Sequence, residues 1–500
     1  MTHAPDHDLT EAETSAGVTP TNYEYPPFNV KRYGATGDGV TNDAPAIQAA
    51  IDVAKERGGE VLLPEPAVTY LVTSALDCTY TGSANKPGFT IRGQNIGLDA
   101  SRLITAKHTG HVFDCAGSPY IVFENIVVGT DDTTYPSTCF FLARNSDENS
   151  QVHRFNNVRV IGKFSNAILY NYGSEDNVVS GVFFHNTLVT AAATAVCIYT
   201  ANNILSLSSS FITIATGAQS CIDHQIFGGQ FVNSNTHNTS DIFVFDQIRS
   251  LKCFAPWVAG AGRAVVMVNT TNAASDLCQF YGLQVEAGLE PTYGFYFGDA
   301  VATVTNWTID GCTIGSDTRA IFAHANVTLA SFHVRNMFEP DSRGIEATLL
   351  TDSVIDGAGV LVLGTSRRNR LTGQSVNWTI TTRDNDLWFS TDTVSWTPGT
   401  GGLTIAGGIT VQNQEVIYDG QHIIVSALLT AGTSVSCAAG TTMSGLPRAA
   451  TSGRYGSVEV VNINDTTTIG HGYVNGSNIV LPAINELTDS WQVRATYQAA

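Results

Sequence analysis

Asp246 and Asp299 have the setting in this 500-residue chain that best suits acid–base chemistry. Each follows an apolar run, Val244-Phe245 and Phe297-Gly298, at nearly the same distance beyond a matching glycine, Gly228 or Gly282. Asn269 holds a comparable place after Met267-Val268. If these segments stack, the three form one column, with the aspartates two strand spacings, about 10 Å, apart. Paired carboxyls cleave glycosidic bonds with inversion at roughly 6.5–9.5 Å and with retention at about 5–5.5 Å, so side-chain rotation would have to close the remaining gap. Glu286 ends a short strand-like run, Gln284-Val285, where apolar neighbours can raise a carboxyl into the range of a general acid. Asp246, Asp299 and Glu286 are therefore the catalytic candidates. Asn269, Glu175 and Tyr172 are the candidate substrate ligands, because carboxylates and amides beside aromatic faces suit a polyhydroxylated ring. The plain alternative for each acid is a turn residue that satisfies backbone N–H groups.

Glu290, Glu339 and Asp176 read as turn carboxylates. Asp223 and His224 are adjacent in an extended run and face opposite ways, so they cannot line one site. His108, His111 and Asp114 have ligand chemistry but read as unrelated surface groups, and no metal or other cofactor is expected. Gly470-His471-Gly472 lies far from the other candidates and reads as coincidence. Gly37-Asp38-Gly39 lacks the Gly-Lys-Ser/Thr that a phosphate loop requires.

These residues need a scaffold, and composition points to an extended one. Hydrophobic residues make up 43 % of the chain and charged residues only 14 %, so Ser, Thr, Asn and Gly must cover much of the surface. The 44 acidic residues outnumber the 25 basic ones, which leaves no basic footprint for a nucleic acid. No apolar stretch is long enough for a transmembrane helix, and residues 1–17 lack the pattern of a secretion signal. The nine cysteines form no CxxC pair and sit mostly in apolar runs, as buried thiols do.

Between Asn125 and Gly357 a small residue recurs beside short β runs: Asn125, Asn157, Gly181, Gly228, Gly282, Gly311, Asn336 and Gly357. The period of roughly 21–32 residues is that of a β-solenoid, with the two wide spacings, Gly181 to Gly228 and Gly228 to Gly282, each expected to hold two coils. Gln225-Ile226-Phe227-Gly228-Gly229-Gln230 is matched by Gln279-Phe280-Tyr281-Gly282-Leu283-Gln284. Upstream, Ile47, Ala50, Ile51 and Ala54 mark one face of a helix with Asn42 or Asp43 at its N-cap and Gly58-Gly59 at its end. Downstream of a tryptophan cluster (Trp378, Trp388, Trp396), alternating runs predict an antiparallel β-sandwich.

The stretch from Val30 to Val72, "VKRYGATGDGVTNDAPAIQAAIDVAKERGGEVLLPEPAVTYLV", resembles the opening of the pectate-lyase-like superfamily, which includes phage tailspikes. The resemblance implies an all-β right-handed parallel β-helix with an N-terminal cap helix. It assigns Asp38 and Asp43 to a turn and a cap. The segments "MSGLPRAA" and "GYVNGSNIVLPA" are similar to C-terminal domains of phage tail proteins. The expected organisation is a flexible virion-attachment leader over 1–27, the β-helix over 28–370, a neck over 371–402 and a C-terminal β-sandwich over 403–500. The implied protein is a homotrimeric tailspike of the virion tail, assembled in the host cytoplasm and acting outside the cell. It would attach to tail or baseplate proteins through its N-terminus and depolymerise a bacterial surface polysaccharide, by hydrolysis rather than elimination. The alternative is a non-catalytic receptor-binding fibre of the same fold. Neither nucleic acid nor membrane insertion is expected.

Overall fold

The computed structural model describes residues 7–80, 86–94, 103–131, 133–143, 150–172, 178–180, 183–189, 196–201, 221–233, 241–245, 248–259, 262–267, 275–286, 291–298, 303–315, 319–337, 344–356, 360–363, 367–372, 377–380, 384–387, 409–418, 422–431, 435–437, 442–444, 456–462, 468–475, 478–481, 484–487 and 490–498. They divide into two units: residues 1–302 with 311–318, and residues 303–310 with 319–500.

The first unit is a parallel β-helix. Each coil has a first, a second and a third strand, and each strand pairs in parallel with its counterpart one coil away. First strands pair from Gly59–Leu63 through Phe89–Gly93, Val122–Glu124, Arg154–Asn156, Val178–Ser180, Gln225–Phe227 and Lys252–Phe254 to Gln279–Tyr281. Unbroken register, through the backbone of Val179, aligns the buried side chains of Val61, Ile91, Phe123, Phe155, Ile226, Cys253 and Phe280. Phe123 and Phe155 stack at 5.2 Å, with Phe140 packed edge-on at 4.8 and 5.0 Å. Cys78, Cys115, Cys139, Cys253, Cys278 and Cys312 are free and buried, as expected, and burial pushes the Cys278 thiol up to about 12.

The corner between first and second strands explains the repeating small residues. Asn125, Asn157, Gly228, Ala255, Gly282 and Gly311 all have φ between 47° and 65°. The left-handed conformation is open to Gly and tolerated by Asn, hence the recurrence. Asn157 Nδ2 donates to Asn125 Oδ1 at 2.8 Å, which links two corners. Ala255 is the corner that the Gly/Asn pattern passes over, and it confirms two coils between Gly228 and Gly282. The Gly181-to-Gly228 expectation was wrong. Val178 pairs directly with Gln225, so that interval is one coil carrying a long excursion.

Helix α1 (Glu11–Ala16) and helix α2 (Ala44–Arg57) pack together at the start of the first unit. Ile47, Ala50, Ile51 and Ala54 of α2 are fully buried. Asp43 stands at the N-cap of α2 without capping it. Its carboxylate accepts from Thr36 N at 2.7 Å and Gly37 N at 3.2 Å, tying down the preceding turn, while Asn42 Oδ1 accepts from Ala44 N. Asp38 accepts from Val40 N and Thr41 N, and these bonds hold its carboxyl down at about 2.

Residues 7–27 of the segment expected to be a flexible leader are instead tied to the cap. Thr10 and Glu13 form a capping box on α1. Glu13 and Arg32, both fully buried, pair at 2.5 and 3.0 Å, and Tyr33 donates to the same carboxylate at 3.0 Å. The remaining guanidinium donors reach the carbonyls of His7, Asp8 and Tyr25.

In the second unit, parallel pairing runs through Ile345–Thr351 and Arg367–Thr372 to Asp384–Leu387, past the expected end at 370. A seven-stranded antiparallel sheet follows in the order 409–418, 422–431, 490–498, 456–462, 468–475, 478–480 and 442–444, with a two-stranded ribbon of 435–437 and 484–487. Gly472 lies in this sheet where a Cβ would collide with the Val480 carbonyl, a structural reason for a glycine in Gly470-His471-Gly472.

Burial opposes ionisation of Glu13, yet its bonds from Arg32, Thr10 and Tyr33 outweigh burial and hold the carboxyl down at about 2. The folded value lies below the unfolded one of about 4.3, so this stabilisation is complete above that value and is lost as pH falls towards 2. Glu13→Gln should lower stability by about 3–5 kcal/mol at pH 7, measured by denaturant unfolding, and should flatten the acid limb between pH 4 and 2.

Candidate functional site

Three successive coils present the same arrangement of outward side chains around the left-handed corner. On the first strands, Gln225, Lys252 and Gln279 share one register column, and Phe227, Phe254 and Tyr281 share the next. Beyond the corner, Gln230, Trp257 and Gln284 form a third column. Strand alternation turns Ile226, Cys253 and Phe280 inward between the first two columns, where they are buried. Backbone bonds fix the corner: Gly228 N to Phe254 O at 2.7 Å, Ala255 N to Tyr281 O at 2.6 Å, and Gln284 N to Pro256 O at 3.0 Å.

The aromatic column is a ladder of parallel rings. Phe227 and Phe254 stack with centroids 5.1 Å apart and planes within 4°, and Phe254 and Tyr281 at 5.3 Å and 12°. Phe227 is 39 % exposed, and Phe254, Tyr281 and Trp257 are partly exposed. The face thus combines apolar rings with amide donors and acceptors, the chemistry that holds a sugar by its C–H face and its hydroxyls. The sequence match between Gln225–Gln230 and Gln279–Gln284 was its visible trace; the middle coil, Lys252-Cys253-Phe254-Ala255-Pro256-Trp257, escaped notice because its corner lacks glycine.

Glu286 belongs to this face. It is exposed, follows Gln284 by two residues, and its N–H donates to Val258 O at 3.0 Å, which fixes its backbone to the coil of Trp257. Asp246, Asn269, Asp299 and Glu175 lie outside the described residues. Of Tyr172 the backbone is described, in register with Ala143 and Ala201. The strands leading to the expected column are in register at Phe245, Met267 and Phe297. In sequence, Asp246 stands one position beyond its member of that row, and Asn269 and Asp299 two. Glu290, Glu339 and Asp176 also lie outside the described residues.

Third strands carry further polar groups, which no sequence motif marks. Arg263 binds Asp241 through two bonds of 2.8 and 2.7 Å and covers the Tyr296 ring at 4.3 Å. Asp223 is exposed while His224 is buried against Asn171, so the two do face opposite ways.

His111 and Asp114 are not independent surface groups, as had been expected. His111 stacks on buried Phe141 at 4.2 Å, and Asp114 shares register with Phe141 on one side and Asp77 on the other. Burial, with His108 nearby, pushes the His111 imidazole down to about 4. Burial, with the Asp77 charge, pushes the Asp114 carboxyl up to about 6. Among the described residues no group of three His, Cys, Asp or Glu side chains is arranged to hold a metal ion. A carboxyl raised above its unfolded value of about 3.9 costs stability above pH 6, and that cost disappears as pH falls below 4. Asp114→Asn should therefore raise the melting temperature at pH 7 more than at pH 4; an equal change at both would contradict this assignment.

Residues 27–252 match the family described as rhamnogalacturonase A/epimerase, pectate lyase-like. Mannuronan C5-epimerase AlgE1 of Azotobacter vinelandii is 39 % identical over 93 residues, 18 % of this chain and 7 % of that protein. Alginate lyase 7 of the same organism is 34 % identical over 114 residues, 21 % of this chain and 13 % of that protein. The chain thus matches only a small part of the length of these relatives. The solved Dettilon tailspike protein aligns over 94 % of both chains at 11 % identity, with a TM-score of 0.47. Residues 27–252 are thus similar to a pectate lyase-like family, and the in-register coils they belong to form a right-handed parallel β-helix.

Proposed function

We propose that the protein binds a bacterial surface polysaccharide across the outer face of the coils between Gln225 and Glu286, and cleaves it as a virion tailspike does. The supporting observation is the threefold, in-register repetition of Gln/Lys/Gln, Phe/Phe/Tyr and Gln/Trp/Gln columns on consecutive coils. A repeating ligand is matched by a repeating surface, and a polymer is such a ligand. The relatives named for mannuronan and alginate support a polysaccharide as the substrate class.

In this reading Glu286 is the general acid on the face, and Asp246 and Asp299 are candidates for its partner. Asn269, Tyr172 and Glu175 are candidate sugar ligands. Hydrolysis is favoured over elimination because carboxyl groups dominate the candidate set. Homotrimer formation, attachment to a phage tail or baseplate through the N-terminal segment, and action at the cell surface as a virion component complete the proposal. No helix among the described residues is long and apolar enough to cross a membrane. One observation favours the non-catalytic receptor-binding reading: Glu286 is the one carboxylate in the segments 225–230, 252–257 and 279–286 that carry this face.

Incubation with acidic and neutral bacterial surface polysaccharides tests the proposal. New reducing ends without ultraviolet-absorbing unsaturated sugars are expected, and unsaturated products would assign a lyase instead. Glu286→Gln should reduce cleavage by about 100-fold or more while polymer binding persists. Full activity in this variant would remove Glu286 from the mechanism. Parallel single substitutions Asp246→Asn and Asp299→Asn should identify the partner carboxylate by the same loss. Binding without cleavage by the unaltered protein would select the fibre reading.

A further inference from the structure

Two buried thiols stand one above the other where the opening coil meets the next. Leu76 and Asp77 pair in parallel with Phe113 and Asp114, and Cys78 N then donates to Asp114 O at 2.8 Å. Cys78 follows Asp77 as Cys115 follows Asp114, so the two cysteines continue the same register. Asp77 is exposed, and alternation turns the cysteines inward, where both are fully buried. Register partners on neighbouring coils have backbones about 4.8 Å apart, and a disulfide needs Cα atoms at roughly 4.4–6.8 Å. The two thiols are in hydrogen-bond contact. Cys253, by contrast, has Ile226 and Phe280 as its register partners, with no cysteine on either side.

The seam that these thiols occupy is short and strained by charge. The third strand of the opening coil is only Leu76–Asp77. Asp77 lies beside Asp114, and the two like charges oppose the pairing. The cap is anchored on the same strand. Gln48 Nε2 of α2 donates to Asp77 O at 2.9 Å, Gln48 Oε1 accepts from Asp77 N at 2.7 Å, and Lys55 Nζ donates to Asp77 O at 3.4 Å. On the far side of the seam, Cys115 N donates to Phe141 O at 2.9 Å and Ser150 Oγ donates to Cys115 O at 3.0 Å. A bond from Cys78 to Cys115 therefore joins the cap's anchor to the coils behind it.

We propose that Cys78 and Cys115 form a redox latch: a dithiol under reducing conditions that a small peroxide converts to a disulfide, locking the cap-bearing coil onto the coils behind it. One thiolate attacks a peroxide oxygen, which leaves a sulfenic acid and releases one water. The second thiol displaces the sulfenic hydroxyl as another water and closes the S–S bond. Two thiols and one hydrogen peroxide thus become one disulfide and two waters. Burial holds the Cys115 thiol well above its ordinary value, and the hydrogen bond with Cys78 adds to this, so the closed pair is inert. Oxidation waits on local opening of the short, like-charged seam, and the disulfide then suppresses that opening.

Exposure of the intact, reduced protein to dilute hydrogen peroxide, followed by thiol alkylation in denaturant and peptide mass spectrometry, tests the latch. A linked pair of peptides carrying Cys78 and Cys115 is expected, with Cys253 and Cys278 alkylated throughout and both bridged thiols restored by dithiothreitol. The oxidised protein should melt about 5 °C above the reduced one. Amide exchange in α2 should slow on oxidation. Cys78→Ala and Cys115→Ala should each lose the bridge and gain nothing from peroxide; the identification of the bridge in the unaltered protein stands even where a variant fails to fold. Thiols of Cys78 and Cys115 that remain free once peroxide has oxidised the methionines would overturn the proposal. So would a bridge from either of them to another cysteine, or a Cys78–Cys115 bridge that leaves the melting temperature unchanged or lowers it.

Discussion

Parallel pairing in register between successive coils is the constraint from which the rest follows. Each strand of a coil offers its N–H and C=O groups along the axis, and only a neighbouring coil in register satisfies them. Register fixes which side chains lie one above another, so a single choice of residue type is repeated along a column. Inside, the result is the buried run from Val61 to Phe280, where rings stack on rings. Outside, the same geometry lines up Phe227, Phe254 and Tyr281. The outer columns do not require a separate binding loop; they are the solvent-facing half of the same repeat.

A stack of coils has an exposed strand edge where it begins, and unpaired strand edges invite unwanted pairing. Here Asn29 bridges Leu62, and α2 lays the buried face of Ile47, Ala50, Ile51 and Ala54 against the opening coils. The Glu13–Arg32 pair fastens α1 onto this cap. Buried charges are tolerable only when their donors and acceptors are met, and the bonds from Thr10 and Tyr33, with the carbonyls on Arg32, supply that condition. Loss of one partner should therefore be felt by the cap as a whole.

Much of this was legible in the chain because the physics is local. A corner that demands positive φ selects Gly or Asn, and a helix face shows its 3.6-residue spacing. The features that were not legible depend on contacts distant in sequence. The single coil between Gly181 and Gly228 looks like two because length alone cannot separate a long excursion from an extra turn. Asp43 was expected to cap α2, but backbone N–H groups at Thr36 and Gly37 compete for its carboxylate more effectively. The stacking of His111 on Phe141 joins strands of different coils, and no spacing rule reveals it. Of the expected site, Glu286 takes its place on the outer face, whereas the surrounding Gln, Phe and Trp columns emerge only once three coils are superposed.

A polysaccharide lying on the outer face of the coils between Gln225 and Glu286 would shield the backbone amides there, and hydrogen–deuterium exchange with and without a bacterial surface polysaccharide reads that shielding. Slowed exchange is expected in peptides covering 225–230, 252–257 and 279–286, with the cap and the C-terminal sheet unchanged. Protection confined to other segments while those three peptides exchange as in the free protein would contradict it.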